Sequence, residues 1–69
     1  MQRTPVTSSN ICSIGYDQSS VLEVEFTDGD VYRYFGVPEN LYQQFLQATS
    51  HGQFLNDQIR YNYRYQKIN

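Results

Sequence analysis

Apolar and polar residues alternate without a break from Leu22 to Phe26. Leu22, Val24 and Phe26 fall on one face and Glu23 and Glu25 on the other, the pattern of a half-buried strand. Asp28-Gly29 then marks a turn before a second run, Val31-Tyr32-Arg33-Tyr34-Phe35. A DG pair serves either a two-residue loop or a three-residue loop that ends in a left-handed glycine. The two-residue loop pairs Val24 with Arg33 and buries an arginine against the apolar face. The three-residue loop Thr27-Asp28-Gly29 pairs Val24 with Tyr32, Leu22 with Tyr34 and Glu23 with Arg33, because a one-residue slip exchanges the faces of a strand. Only this second register yields an apolar face together with a cross-strand ion pair, and the sequence predicts it. Upstream, Ile11, Cys12, Ile14 and Tyr16 suit a short strand that ends at the polar group Asp17-Gln18-Ser19-Ser20.

The period changes after Val37-Pro38. Proline suits the first helical position, and Glu39 sits well at the positive end of the helix dipole. Leu41, Tyr42, Phe45, Leu46 and Ala48 then form one apolar stripe. Ser50-His51-Gly52-Gln53 has the form of a capping box, so a second, short helix is expected to carry Phe54, Leu55 and Ile59. Residues 1–10 show no period and read as a flexible lead-in, leaving 11–69 as a single domain. Beyond Ile59, Tyr61, Tyr63 and Tyr65 occupy alternate positions, which predicts an extended tail with its rings on one side. The expected fold is α+β: a three-stranded antiparallel meander covered on one face by one long and one short helix, with an extended C-terminal tail.

Composition sharpens this picture in two ways. A chain of 69 residues buries only about 60% of its unfolded surface, so it needs nearly every large apolar side chain for its core. With seven Tyr, four Phe and no Trp, an aromatic cluster reads first as core. The net charge of −2 is unevenly spread: all seven acidic residues lie before residue 58, with only Arg3 and Arg33 among them, whereas Arg60, Arg64 and Lys67 follow with no acid. An acidic body with a basic tail is thus expected. Cys12 is the only cysteine and cannot form an internal disulfide. The N-terminal run lacks the apolar stretch of a signal peptide, and no window is apolar enough to span a membrane, so a cytoplasmic location is expected.

Several segments together carry a resemblance: Ile14-Gly15-Tyr16-Asp17, Leu22-Glu23-Val24-Glu25-Phe26, Gly29-Asp30-Val31-Tyr32-Arg33-Tyr34, Val37-Pro38, Ser50, Gly52, Asn56 and Ile59-Arg60. Between Asn10 and Tyr65 the chain resembles the KTSC domain, named for the C-terminal domain of lysyl-tRNA synthetase. That family is of about this length and occurs alone in bacterial proteins as well as appended to some of these synthetases. Its hallmark is a central Y-x-Y, here Tyr32 and Tyr34. The resemblance implies a small domain without assigned activity, and it brings RNA, tRNA included, into consideration as a ligand.

No catalytic constellation emerges from the residues themselves. His51 and Cys12 are the sole histidine and thiol and lie on different expected elements. They are too few for a zinc site, and no phosphate-binding glycine loop or nucleophile elbow is present. A non-enzymatic binding domain without metal or cofactor is therefore expected. Tyr32 and Tyr34 fall on the face that the helix covers and read as structural. The candidate RNA-binding residues are Arg60, Tyr61, Tyr63, Arg64, Tyr65 and Lys67, in which cations alternate with stacking rings, joined by Arg33 on the outer face. The alternative is a protein partner or a homodimer that covers the open sheet face, where Val21, Val31 and Phe35 lie, or pairs with its edge strands.

Overall fold

A computed structural model describes residues 1–69. The elements run β1 (Arg3–Pro5), β2 (Ile11–Asp17), β3 (Val21–Phe26), β4 (Val31–Phe35), α1 (Glu39–Leu46), α2 (His51–Phe54), a π-helical turn (Leu55–Ile59) and β5 (Arg64–Lys67). All five strands join one antiparallel sheet in the order β1-β2-β3-β4-β5.

The central hairpin takes the three-residue register. Leu22 faces Tyr34, Glu23 faces Arg33 and Val24 faces Tyr32. Phe26 donates its N–H to the Asp30 carbonyl at 2.8 Å, and Gly29 reaches a φ of 97° that suits only a residue without Cβ. Asp28 adds a side-chain brace, its Oδ1 accepting the Asp30 N–H at 3.0 Å. The preceding turn repeats the geometry with a different residue. Asp17 pairs with Val21 across Gln18-Ser19-Ser20, and Ser20 holds the left-handed position at φ 66°. The Ser20 carbonyl then accepts both the Gly36 and the Val37 N–H groups, at 2.9 and 3.0 Å, and so ties this turn to the exit of β4.

Sheet and helices share one core. Ile11, Ile14, Leu22, Val24, Tyr34, Val37, Phe45, Leu55 and Ile59 are all buried, with Leu41, Tyr42, Phe54 and Tyr63 packed around them. Each fully buried aliphatic or aromatic side chain contributes about 1.5–3 kcal/mol. Helix α1 buries Phe45 as its stripe predicts. Pro38 stands one position earlier than expected: its ψ of 151° is extended, and its carbonyl accepts the first helical N–H groups from Leu41 and Tyr42. Ser50 caps α2, with Oγ accepting the Gln53 N–H at 3.3 Å. The helix then widens, and Arg60 donates its N–H to the Leu55 carbonyl, five residues back, at 2.8 Å. No helix is long and apolar enough to cross a membrane.

The sheet has five strands, not three, and the two additions lie at its edges. Arg3–Pro5, within the aperiodic lead-in, pairs with β2 so that Arg3 faces Gly15. Three residues are too few to show a period, and the feature that admits them is the missing side chain at Gly15. A Cβ there would sit 2.8 Å from the Gln2 carbonyl oxygen and 2.9 Å from Arg3 Cγ. At the other edge the expected free tail becomes β5, with Tyr65 facing Tyr34 and Lys67 facing Tyr32. Its alternation is a strand signal, but the partner is 31 residues upstream across two helical elements, beyond the reach of local pattern. The three tail rings consequently do not share a face. Tyr61 is exposed in a turn closed by the Asn62 N–H to the Ile59 carbonyl, Tyr63 packs on the core, and Tyr65 lies on the sheet.

On the outer face Glu23, 6% exposed, lies between Arg33, at 2.8 Å, and Arg3, at 3.4 Å. Ser13 Oγ donates to Glu25 at 2.8 Å beside them.

Two substitutions test this account in opposite directions. Gly15→Ala should push β1 off the sheet and lower stability by about 1–3 kcal/mol, with loss of amide protection confined largely to β1 and its partner. Ser20→Gly should raise stability by about 0.5–1 kcal/mol, since a left-handed L-residue costs about 1–2 kcal/mol and the added chain entropy of glycine offsets about half. Thermal or urea melts of both variants provide the measurement, and a stabilised Gly15→Ala would refute the edge-strand packing.

Candidate functional site

Because β5 extends the sheet past β4, the core-side face continues beyond the region that the helices cover. The rings of Tyr32, Tyr34 and Tyr65 meet there. Tyr65 lies 5.8 Å from each of the other two, and Phe26 stands edge-on to Tyr32 at 5.6 Å. The π-helical turn forms the opposite wall. A groove of about 240 Å³ opens between them, with these rings, Leu55, Asn56 and Arg60 along its sides and Asp28 and Asp30 at the hairpin end.

The widened turn sets the polar side of this groove. By closing on a hydrogen bond to the fifth residue back, it keeps Leu55 and Ile59 in the core while Asn56 and Arg60 stay exposed. Such single π turns are frequent at functional sites. Arg60 Nη1 donates to Asn56 Oδ1 at 3.3 Å, and its guanidinium lies 5.4 Å from the centre of the Tyr61 ring. At the hairpin end Asp30 meets Lys67 at 3.5 Å. The groove and its rim thus hold two carboxylates and two cations, a locally neutral set.

Tyr34 is the unusual member. Only 4% of it is exposed, yet its hydroxyl has no protein partner and is not sealed from solvent, so it opens into the groove. Tyr16, by contrast, donates its hydroxyl to the Val37 carbonyl at 2.7 Å. Burial pushes the Tyr34 hydroxyl above its ordinary pKa, and the Arg60 charge only partly counters this.

The residues singled out in the sequence are dispersed by the fold. Arg60 and Tyr65 line the groove and Lys67 stands at its rim. Arg64 projects from the opposite face, its guanidinium 5.7 Å from the Phe35 ring, and Arg33 is bound to Glu23 on that same face. Tyr61 stands outside the groove and Tyr63 packs on the core. The sequence reading missed Phe26, Asp28, Asp30, Leu55 and Asn56, of which only the hairpin acids had a local signal, as turn residues. His51 and Cys12 remain apart from the groove: His51 Nε2 donates to the Leu46 carbonyl at 3.1 Å and Cys12 is exposed on β2. A second cleft, of about 400 Å³, between residues 7–10 and α2 has no hydrophobic residue in its lining, and its one ring, His51, is tied to the Leu46 carbonyl.

The Tyr34 shift has a definite sign. The folded chain holds this proton above pH 10.0, the ordinary tyrosine value, at which the unfolded chain releases it. Tyr34 therefore leaves stability unchanged at lower pH and erodes it as pH rises beyond that value. Phenolate absorbance of the parent chain minus that of Tyr34→Phe should titrate with a midpoint above 10.0, and a midpoint at or below it would contradict the assigned burial.

The comparisons with known proteins agree with one another. A protein of Stutzerimonas stutzeri described as uncharacterised is 41% identical over 70 residues, 99% of each chain. One from Tsukamurella paurometabola is 38% identical over 61 residues, which is 87% of this chain and 91% of that protein. The crystal structure of a KTSC domain protein from Yersinia pestis superposes with a TM-score of 0.91 at 44% identity, covering 99% of this chain and 97% of that one. The KTSC domain family model matches residues 7–63, and the chain belongs to the KTSC domain family.

Proposed function

We propose that this chain is a non-enzymatic, cytoplasmic binding domain that takes an unpaired base of single-stranded RNA into the groove between β5 and the π-helical turn. The observation that carries this reading is the ring cluster of Tyr32, Tyr34 and Tyr65, which is open on one side and faced by Arg60. Splayed bases stack on such side chains and are then read along their edges. The basic tail contributes through Arg60 and Lys67 alone, because Arg64 lies on the other face.

Local neutrality limits the role of phosphate contacts. Two phosphate contacts give a slope of log affinity against log salt of about −1.4, from −0.7 each. Stacking supplies the larger share, about 1–3 kcal/mol per base.

Protein association is the second reading, and one observation favours it. Ile68 donates its N–H to the Val31 carbonyl, so by antiparallel alternation the backbone groups of Tyr65 and Lys67 point outward, free to accept another strand. The outer sheet face supports that reading less. Arg64 lies against Phe35, Val31 is buried, and the Arg3–Glu23–Arg33 ion group fills the centre.

Anisotropy titrations of a short labelled RNA should show binding that Tyr65→Ala weakens by about 1–3 kcal/mol with little change in melting temperature, since Tyr65 is 55% exposed. Arg64→Ala should bind as the parent does. Absence of binding, or equal losses in the two variants, would overturn the groove reading and leave strand addition at β5 ahead.

A further inference from the structure

We infer that the base this groove selects is guanine, an inference that rests on the groove reading above and adds to it the chemistry of the base edge. The aromatic rings accept any base, so selection must come from the polar groups around them. These are the Asp28 and Asp30 carboxylates at the hairpin end and the Arg60 guanidinium and Tyr34 hydroxyl toward the π-helical turn. Carboxylates only accept hydrogen bonds and a guanidinium only donates them. The groove therefore calls for a flat ring with adjacent donors on one edge and adjacent acceptors on another.

Guanine alone among the four bases has both. Its N1–H and N2–H donors stand side by side and match the two oxygens of a carboxylate, while O6 and N7 match the fork of a guanidinium. Uracil sets its single N–H between two carbonyl oxygens, which repel a carboxylate. Adenine and cytosine each present one amino group beside a bare ring nitrogen, and a carboxylate there meets a lone pair with its second oxygen.

The site is already built on the protein side. Asp28 Oδ1 accepts the Asp30 N–H and so fixes the carboxylate, whose other oxygen has no protein partner. Asp30 keeps one oxygen free beyond its 3.5 Å contact with Lys67. The Tyr34 hydroxyl, on a residue that is otherwise buried, has spent no hydrogen bond on the protein. A buried ring whose polar atom opens into an aromatic groove is set to meet an acceptor, and O6 supplies one.

The test compares a short labelled oligouridine with the same strand carrying one central guanine, adenine or cytosine. The guanine strand should bind at least about tenfold more tightly than the other three, the discrimination of one bidentate pair. The double variant Asp28→Asn with Asp30→Asn should remove that preference, read as the ratio of the four strands on the same variant, while oligouridine binds it more tightly than the parent because the groove has lost two negative charges. Its fold is checked by its melting temperature, because asparagine suits the same turn. Competition by free guanosine, against uridine as control, would identify the isolated nucleoside as sufficient. A guanine preference without such competition would identify a base within a strand. Equal binding of all four strands, or a guanine preference that survives the double variant, overturns the inference while the RNA reading stands. Failure of every strand to bind overturns both.

Discussion

Phe26 and Asp30 face each other across Thr27-Asp28-Gly29, and the left-handed backbone at Gly29 is what allows them to do so. This contact decides which side of β3 meets which side of β4. A slip by one residue would turn Arg33 toward Leu22 and Val24 and would leave Glu23 without its partner; burying an unpaired charge costs far more than any turn preference. Everything on the sheet inherits the choice. The core-side face receives Leu22, Val24 and Tyr34, the outer face closes around Glu23, and the far edge of β4 is presented with Tyr32 and Tyr34 on the side where Tyr65 later joins them.

The hairpin was legible because its evidence is local. Five alternating residues, a turn dipeptide and the faces of Glu23 and Arg33 all lie within 15 residues of one another, and the faces decide between the two registers that the dipeptide admits. The cap at Ser50 was legible for the same reason, and the stripe of α1 needed only its own period. β1 and β5 were not legible as strands of the sheet. Their pairing depends on which edges remain open after the rest has folded, and at β1 on the missing side chain of Gly15.

The groove shows the same division. Alternation between Arg60 and Lys67 marked a segment rich in rings and cations, but strand pairing sends alternate residues to opposite faces, so what looked like one surface separates into two. Asp28, Asp30, Leu55 and Asn56 had no binding signal in the sequence, since they come together only when the hairpin end and the π-helical turn approach. The widened turn itself has no composition signature. Tyr34 links both levels: its ring lies in the core beside Leu22 and its hydroxyl reaches the groove.

The two ends of the chain leave the sheet at opposite edges. β1 is one border and β5 the other, and Asn69 Nδ2 donates to the Gly29 carbonyl at 3.0 Å, which seats the C-terminus against the hairpin tip. Anything fused after Asn69 emerges beside Asp28 and Asp30 and competes for the mouth of the groove. Anything fused before Met1 emerges three strands from β4 and leaves that mouth open. Attachment polarity is thus written into the topology: tethered by its N-terminus, the domain presents the groove outward; tethered by its C-terminus, it turns the groove toward whatever carries it.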